Sequence, residues 1–243
     1  MPDLTIFHTS DFHSRLNDAS SRKLAQLKES ITGSLLLDSG DAIKSGNITF
    51  NPFGESILTA MNQAGYDAMC IGNREYHFME GPMKAKIFKA DFPMLSANMI
   101  SKGENPGISK FVDFMRNDLK IRIMGLSVPC VTKQMFIQRL SGQFFEDPIS
   151  SGVKTANELR GSCDLLIALT HIGLKKDIEL AEKTDAIDLI LGGHTHTYTE
   201  TPLKMGKTVI LHHGCHAKHV GQVDIHIANG EIRIENKLLE LRA

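Results

Sequence analysis

The sequence has few cysteines and almost no net charge. Its four cysteines are scattered through 243 residues without a CxxC pair, which argues against a disulfide framework and favours reduced, mostly buried thiols. The 27 Lys and Arg residues are balanced by 28 Asp and Glu residues, so the formal net charge is −1. Without an excess of positive charge, the chain is not expected to bind nucleic acid or an anionic membrane.

Long apolar segments are also missing. No apolar run approaches the roughly 20 residues that a transmembrane helix needs. The N-terminal segment MPDLTIFHTSDFH has neither the basic start nor the apolar core of a signal peptide, so we expect a cytoplasmic protein. The sequence shows no internal repeats, low-complexity tracts or linkers, and its length suits one domain with a full core. We therefore expect residues 1–243 to form a single domain.

What the sequence does contain is an alternation of buried strands and helices. Continuous apolar runs at 4–9, 34–38 and 164–170 predict buried strands. Apolar residues at helical spacing predict helices at 19–31 and 175–184. The alternation indicates an α/β fold with buried sheet and helices outside, arranged as a layered sandwich.

Three regions depart from this alternation. Residues 129–149 show no clear pattern and are left without an assignment. The Asn-Asp pair at 117–118 and the Asn-Gly pair at 229–230 each predict a hairpin turn, and the C-terminal part is rich in strands.

Histidine is the informative residue, because the chain has eleven and most of them are clustered. Five predicted buried strands are each followed by Asp, Asn or His. The residues concerned are Asp11 and His13, Asp41, Asn73, His171, and the pair His194 and His196. Because sites in open α/β sheets form beyond the carboxyl ends of strands, we expect these side chains to converge.

The residue types at these strand ends favour a site for two metal ions. In the D-x-H and H-x-H segments, alternate residues of an extended chain face the same side. A carboxylate has two oxygens and can bridge two ions. Imidazole, carboxylate and amide oxygen together suit Zn, Fe or Mn better than Mg or Ca. Two such ions about 3.5–4 Å apart would activate a bridging hydroxide for in-line attack and clamp a phosphoryl group.

Seven segments of the sequence, in order, are FHTSDFHSRL, LLLDSGDAI, AMCIGNREY, PMLSANM, LIALTHIG, LILGGHTHT and ILHHGCHAKHVGQVDI. With these segments the sequence resembles the calcineurin-like metallophosphoesterases, and most closely the N-terminal catalytic domain of 5′-nucleotidases. The resemblance covers about residues 4–225. It implies an α/β/β/α sandwich, a metal-dependent phosphoesterase and two divalent ions, manganese foremost with zinc or iron as alternatives.

The resemblance also implies a role for each of the seven strand-end residues. The ligands of a first metal would be Asp11, His13 and His196, and those of a second metal would be Asn73, His171 and His194. Asp41 would be the carboxylate that bridges the two metals. All seven are of the type that the family uses.

Two positions of the family's catalytic loop are changed. The histidine of the family's GNHE motif, which lies near the leaving group, is Arg74 here, and the aspartate that partners it is His77. Arginine does not give up its proton at ordinary pH, but it can stabilise charge on phosphoryl oxygens. His77 has a pKa suited to supplying the proton instead. The alternative is that His77 points elsewhere and forms a hydrogen bond within its loop.

Substrate contacts are expected from four further residues. The resemblance suggests Asn98 and Arg15, and the HHGCHAKH segment suggests His213 or His216. The 5′-nucleotidases also use aromatic residues of a C-terminal domain to hold the nucleoside. The present sequence corresponds to the catalytic part, so specificity for nucleotides is not carried over.

Three functions are compatible with these residues. The first is hydrolysis of a small phosphate monoester or nucleotide. The second is phosphodiester hydrolysis, for example of a cyclic nucleotide. The third is a metal-bound regulatory module in which catalysis is reduced by the changed loop. A small phosphorylated substrate is the expected partner, and the oligomeric state is left open.

Overall fold

The computed structural model describes residues 2–228 and 231–241. Five α-helices are defined in these residues: α1 (Asp18–Ser30), α2 (Ser56–Ala64), α3 (Glu80–Ile87), α4 (Pro148–Arg160) and α5 (Leu174–Lys183). The strands are β1 (Leu4–Thr9), β2 (Leu35–Asp38), β3 (Ala68–Cys70), β4 (Met94–Leu95), β5 (Met99–Ser101), β6 (Ile108–Ser109), β7 (Phe111–Arg116), β8 (Leu119–Ser127), β9 (Gln143–Phe145), β10 (Leu165–His171), β11 (Leu189–Gly192), β12 (Leu203–Met205), β13 (Thr208–His212), β14 (His219–Ala228) and β15 (Glu231–Glu240).

Most of the strands form two sheets. The first has the order β15-β14-β1-β2-β3-β4-β6, and the second has the order β12-β13-β11-β10-β8-β7. The centre of each sheet is parallel, from β1 to β6 in the first and from β8 to β13 in the second. Antiparallel strands flank these parallel parts, β14 and β15 in the first sheet and β12 and β7 in the second, and β5 pairs separately with β9.

The two sheets pack face to face on an aliphatic core. Side chains such as Leu35 and Leu37 of the first sheet meet Ile123, Ile167 and Leu189 of the second, and all are fully buried. Helices α1, α2 and α3 cover the outer face of the first sheet, and α4 and α5 cover that of the second. Each central strand is therefore buried on both faces, which is why its sequence is continuously apolar. The predicted α/β/β/α sandwich is confirmed.

The predicted elements agree with the structure apart from their ends. At 117–118 the two-residue hairpin turn is confirmed, because Asn117 and Asp118 have φ of 49° and 63° between paired strands β7 and β8. The unassigned region holds a short 3₁₀ turn, Phe136–Arg139, and strand β9. The Asn-Gly turn at 229–230 lies outside the described residues, although β14 and β15 pair antiparallel on either side of it. In the described residues, every helix is too short or too polar to cross a bilayer.

Candidate metal centre

The carboxyl ends of five central strands carry the residues singled out in the sequence. Strands β1, β2 and β3 are neighbours in the first sheet, and β10 and β11 are neighbours in the second. Several of the loops take a left-handed backbone conformation at non-glycine residues, with positive φ at Asp11, His13, Asp41, His194 and His196. Such conformations cost about 1–3 kcal/mol each and cluster at functional sites.

One group of side chains surrounds the ring of His171. Its Nε2 lies 3.3 Å from Asn73 Oδ1, 3.3 Å from His194 Nδ1 and 3.5 Å from Asp41 Oδ1. The other ring nitrogen, Nδ1, lies 2.7 Å from the carbonyl oxygen of Ser39. Because a carbonyl only accepts, Nδ1 carries a proton, and Nε2 is the nitrogen that faces the group.

A second group forms around His13 and His196, whose Nε2 atoms are 3.0 Å apart. Asp11 Oδ1 lies 3.4 Å from His196 Nε2 and 3.8 Å from His13 Nε2. The other oxygen of Asp11 accepts from the Ser10 hydroxyl and from the His194 N–H. Asp11 Oδ1 is buried and has no hydrogen-bond partner.

This donor set fits two divalent cations. Donor atoms at right angles, each about 2.1 Å from one ion, lie about 3 Å apart, close to the spacings of 3.0–3.5 Å found in both groups. An unpartnered buried carboxylate oxygen such as Asp11 Oδ1 is costly without a cation. The ligand atoms of Asp11, Asp41 and His171 also lie within 4.8 Å of one another, which joins the two groups.

The Asp41 carboxylate contacts two of the residues around it, Arg74 and His171. Its Oδ1 accepts from the backbone N–H of Arg74 at 2.7 Å. Burial favours the neutral carboxyl, but hydrogen bonding to His171 and its charge outweigh burial and lower the pKa of Asp41. Burial likewise opposes charge on His171, yet the Asp41 carboxylate raises the pKa of that imidazole to about 9.

Glu75 holds the two loops of this region together, and sequence reasoning gave it no role. It is fully buried, and its carboxylate accepts backbone N–H groups from Asp41 at 2.9 Å, Gly72 at 2.9 Å and Ile43 at 3.2 Å. The loops approach so closely that a Cβ on Gly72 would collide with the backbone nitrogen of Asp41. The sequence feature that could have indicated this role is the position of the glutamate, directly after Gly-Asn-Arg.

Lys86 of α3 was also missed. Its side chain is fully buried, and Nζ donates to the carbonyl oxygens of Gly46 and Arg74 at 2.7 Å and of Tyr76 at 2.9 Å. All three ammonium protons are thus used to bind two loops beside the centre. Burial lowers the pKa of Lys86 to about 8. No sequence signal separates it from Lys84 on the same helix, which is exposed.

Comparison with known proteins gives this arrangement a family. Residues 4–198 match the family model described as calcineurin-like phosphoesterase. The chain belongs to the calcineurin-like phosphoesterase family. The resemblance carried by the seven sequence segments is therefore confirmed.

Relatives in this family include nucleotide phosphoesterases. The trifunctional nucleotide phosphoesterase protein YfkN of Bacillus subtilis is 30% identical over 92% of this chain and 18% of its own length. The snake venom 5′-nucleotidase of Gloydius brevicauda is 31% identical over 82% of this chain and 38% of its own. The crystal structure of a 5′-nucleotidase precursor from Thermus thermophilus covers 98% of this chain and 54% of that one, with a TM-score of 0.82 at 22% identity. The chain spans about half or less of these proteins.

Arg74 lies beside the centre, at the place of the histidine in the calcineurin-like phosphoesterase loop. Its Nε is 3.7 Å from Asp41 Oδ2, and its Nη1 donates to the carbonyl oxygen of Lys44 at 2.7 Å. The side chain is 34% exposed, so part of the guanidinium faces solvent. The guanidinium is thus placed to contact an anion that binds beside Asp41.

The His77 ring is buried and held within its own loop. His77 is 3% exposed, its ring stacks on Phe78 with centroids 4.9 Å apart, and Phe50 packs edge-on at 6.0 Å. Its Nδ1 accepts the N–H of Met79 at 3.0 Å, and the ring also hydrogen-bonds to the backbone of Ile48. Burial lowers the pKa of His77. The structure therefore favours the alternative, a hydrogen bond within the loop, over the role as catalytic acid.

Asn98 is also corrected from a substrate contact to a structural residue. It is fully buried, its Nδ2 donates to the carbonyl oxygens of Ser127 at 2.8 Å and Glu146 at 3.2 Å, and its Oδ1 accepts the Ser127 N–H at 2.9 Å. Its amide therefore has no exposed edge left for a ligand.

His213 is corrected in the same way. It is 1% exposed and lies between His8, with Nδ1 atoms 2.6 Å apart, and Asn236, whose Oδ1 is 2.9 Å from His213 Nε2. His216 and Arg15, in contrast, are placed near the centre. The His216 ring lies beside His13 and His196, and Arg15 is exposed and acts electrostatically on His216.

Proposed function

We propose that this chain is a dinuclear metal-dependent phosphoesterase acting on a small phosphate monoester or nucleotide. One observation carries the proposal. Seven side chains of the types that bind divalent metals, from five strand ends, form two adjoining groups with donor spacings of 3.0–3.8 Å. Packing alone gives no reason for an unpartnered carboxylate oxygen to face two imidazoles.

Each residue then has a defined task. Asp11, His13 and His196 would hold one ion, Asn73, His171 and His194 would hold the other, and Asp41 would be shared. When bound, two divalent ions supply an activated water nucleophile and neutralise charge on the phosphoryl group. Among these ions we put manganese foremost, with zinc or iron as alternatives.

Arg74 would provide the stabilisation of charge that the chain itself contributes. A phosphoryl oxygen near Asp41 lies within reach of the guanidinium, which can hydrogen-bond to it through two N–H groups. The His77 ring is held by Phe78 and Met79, so this imidazole is not free to replace the family's leaving-group acid. We therefore propose a preference for leaving groups that need little protonation, such as aryl esters or anhydrides.

The names of the relatives support the substrate class. YfkN is called a trifunctional nucleotide phosphoesterase, and others are 5′-nucleotidases. Because this chain spans only part of each, nucleotides are part of the proposal together with other small phosphate esters. A single catalytic domain over residues 1–243 and a cytoplasmic location also stay predictions.

The test is a matrix of metals and substrates. Metal-free protein is assayed with Mn, Co, Zn or no added metal against monoesters, diesters and nucleotides. Asp41→Asn is the inactive variant, and Asp185→Asn is the matched control, because Asp185 is exposed and precedes β11 at the opposite edge of the sheet. Metal-dependent turnover of monoesters that only Asp41→Asn abolishes is the expected result. Turnover of diesters alone would indicate the phosphodiesterase, and no turnover at all would indicate a binding module.

A further inference from the structure

His216 is an imidazole near the centre that the seven-residue set does not include. We propose that His216 is an additional protein ligand of the first metal ion, alongside Asp11, His13 and His196. The inference relies on the proposed function only for the presence of the two ions. The ligand atoms of His13, His196 and His216 all lie within 4.8 Å of one another.

The three rings are arranged with nearly equal spacing. Ring centroids are 5.1 Å apart for His13 and His196, 5.2 Å for His13 and His216, and 5.2 Å for His196 and His216. An imidazole nitrogen about 2.1 Å from an ion puts the ring centre about 3.2 Å away, so two rings at angles from 90° to the tetrahedral value have centres about 4.5–5.2 Å apart. The observed triangle has the dimensions of three imidazoles that share one cation.

The backbone holds His216 in this position. His216 and Ala217 both have left-handed φ, at 61° and 53°, which costs free energy at non-glycine residues. The N–H of His216 donates to the carbonyl oxygen of Asp11 at 2.9 Å, which ties the loop after β13 to a ligand loop. The His216 ring is therefore positioned by the same segment that positions Asp11.

The surroundings of His216 and Asp11 support a cation site in which His216 binds through Nε2. His216 Nδ1 lies 3.4 Å from Cys215 Sγ, so this nitrogen has a neighbour and Nε2 remains for an ion. On the other side of the group, Asp11 Oδ1 is buried without a partner and faces His13 and His196. An unpartnered buried carboxylate that faces two of the three imidazoles favours a cation by its charge.

A third imidazole would change which metal the first site selects. The first site then has three imidazoles with carboxylates, whereas the second has two imidazoles, an amide and a carboxylate. Imidazole-rich sites suit Zn and Fe, and oxygen-rich sites suit Mn. We expect the first site to favour zinc or iron(II) over manganese more strongly than the second.

The first experiment measures metal binding without turnover. Metal-free full-length protein is titrated calorimetrically with Zn, with His216→Gln as the variant and His226→Gln, in strand β14, as the control. Expected are two equivalents for the parent and the control, and a loss of at least about tenfold in affinity for one equivalent in His216→Gln. Unchanged affinity for both equivalents, with a higher KM, would overturn the inference and make His216 a substrate contact.

The second experiment remains informative if His216→Gln folds poorly. In the cobalt-loaded protein, His216→Cys should produce a thiolate-to-cobalt charge-transfer band that the parent and His226→Cys lack. Folded, cobalt-loaded His216→Cys without that band would contradict a ligand at position 216. Failure of the proposed function is distinguishable, because two bound metals and a His216 effect without any hydrolysis would leave this inference intact.

Discussion

Replacing Arg74 tests how the altered loop stabilises the reaction. Two unit charges separated by the 3.7 Å between Arg74 Nε and Asp41 Oδ2 attract by about 4 kcal/mol at an effective dielectric constant near 20. About a third of the Arg74 side chain is exposed, so water screens part of this attraction, and about 2–3 kcal/mol is the share to expect for a phosphoryl oxygen at that position. Arg74→Ala should therefore lower kcat by about 100-fold.

The assay is steady-state kinetics at saturating metal, because Arg74 also faces Asp41 and its loss can change metal affinity. Aryl and alkyl phosphates are compared, with Arg74→Lys to keep the charge without the planar fork and Arg22→Ala as an exposed arginine control on α1. Arg74→Lys should retain part of the rate, and Arg22→Ala should retain all of it. Arg74→Ala should slow both substrate classes by a similar factor, since charge stabilisation does not depend on the leaving group.

Arg74→His adds a second measurement to the same experiment. It puts an imidazole back beside the leaving group, so the ratio of aryl to alkyl turnover should fall relative to the parent. Wild-type kcat in Arg74→Ala on both substrate classes would refute the clamp. A raised KM with unchanged kcat would show that Arg74 binds the ground state and the transition state equally, and so does not speed the chemical step.

Three further predictions concern the residues that support the centre. Lys86→Met leaves three carbonyls without a donor and should lower the free energy of unfolding by about 3 kcal/mol in urea titrations; equal stability would contradict the assigned contacts. Burial lowers the pKa of His213 to about 4 in the folded protein. As the pH falls below the ordinary histidine pKa of about 6.5, the unfolded chain therefore takes up a proton before the folded protein does. The free energy of unfolding should therefore be highest above about pH 6.5 and fall by about 2.5 kcal/mol toward pH 4.5. The variant His213→Gln should lack this fall, and identical pH profiles for the parent and the variant would contradict the prediction. Asn98→Ala should destabilise by about 2–3 kcal/mol with KM unchanged, whereas a raised KM at full stability would restore its substrate role.

Strand ends explain why so much of the centre could be predicted. A strand buried on both faces is read directly from its apolar run, and the polar residues around its carboxyl end lie at that end of the sheet. Asp11 and Asp41 lie two and three residues beyond β1 and β2, and His171 is the last residue of β10. Which candidate residues meet within each sheet follows from the parallel pairing of β1 with β2 and of β10 with β11.

Side-chain direction in irregular segments could not be predicted in the same way. His77 sits three residues beyond Arg74 in a loop, and its ring is turned away by packing on Phe78 and Phe50, which come from different parts of the chain. His213 directly follows β13, where the alternation of side chains along a strand predicts that either His212 or His213 faces an open side. Here His212 bonds Asp177 of α5 at 2.7 Å and His213 bonds His8 of β1, so both faces are covered.

Support from distant residues was hidden from the sequence for another reason. Glu75 and Lys86 act through backbone N–H and carbonyl groups of loops, and any residue type can present those groups. No pattern of side chains marks their partners. Only the folded positions of the two loops show that a buried carboxylate and a buried ammonium hold them.

The most direct test of two metal ions is anomalous diffraction from crystals of metal-loaded protein. Data recorded on either side of the absorption edge should show two peaks about 3.5–4 Å apart, one beside His13 and His196 and the other beside His171 and His194, with Asp41 contacting both. A single peak, or peaks away from these residues, would contradict the dinuclear centre.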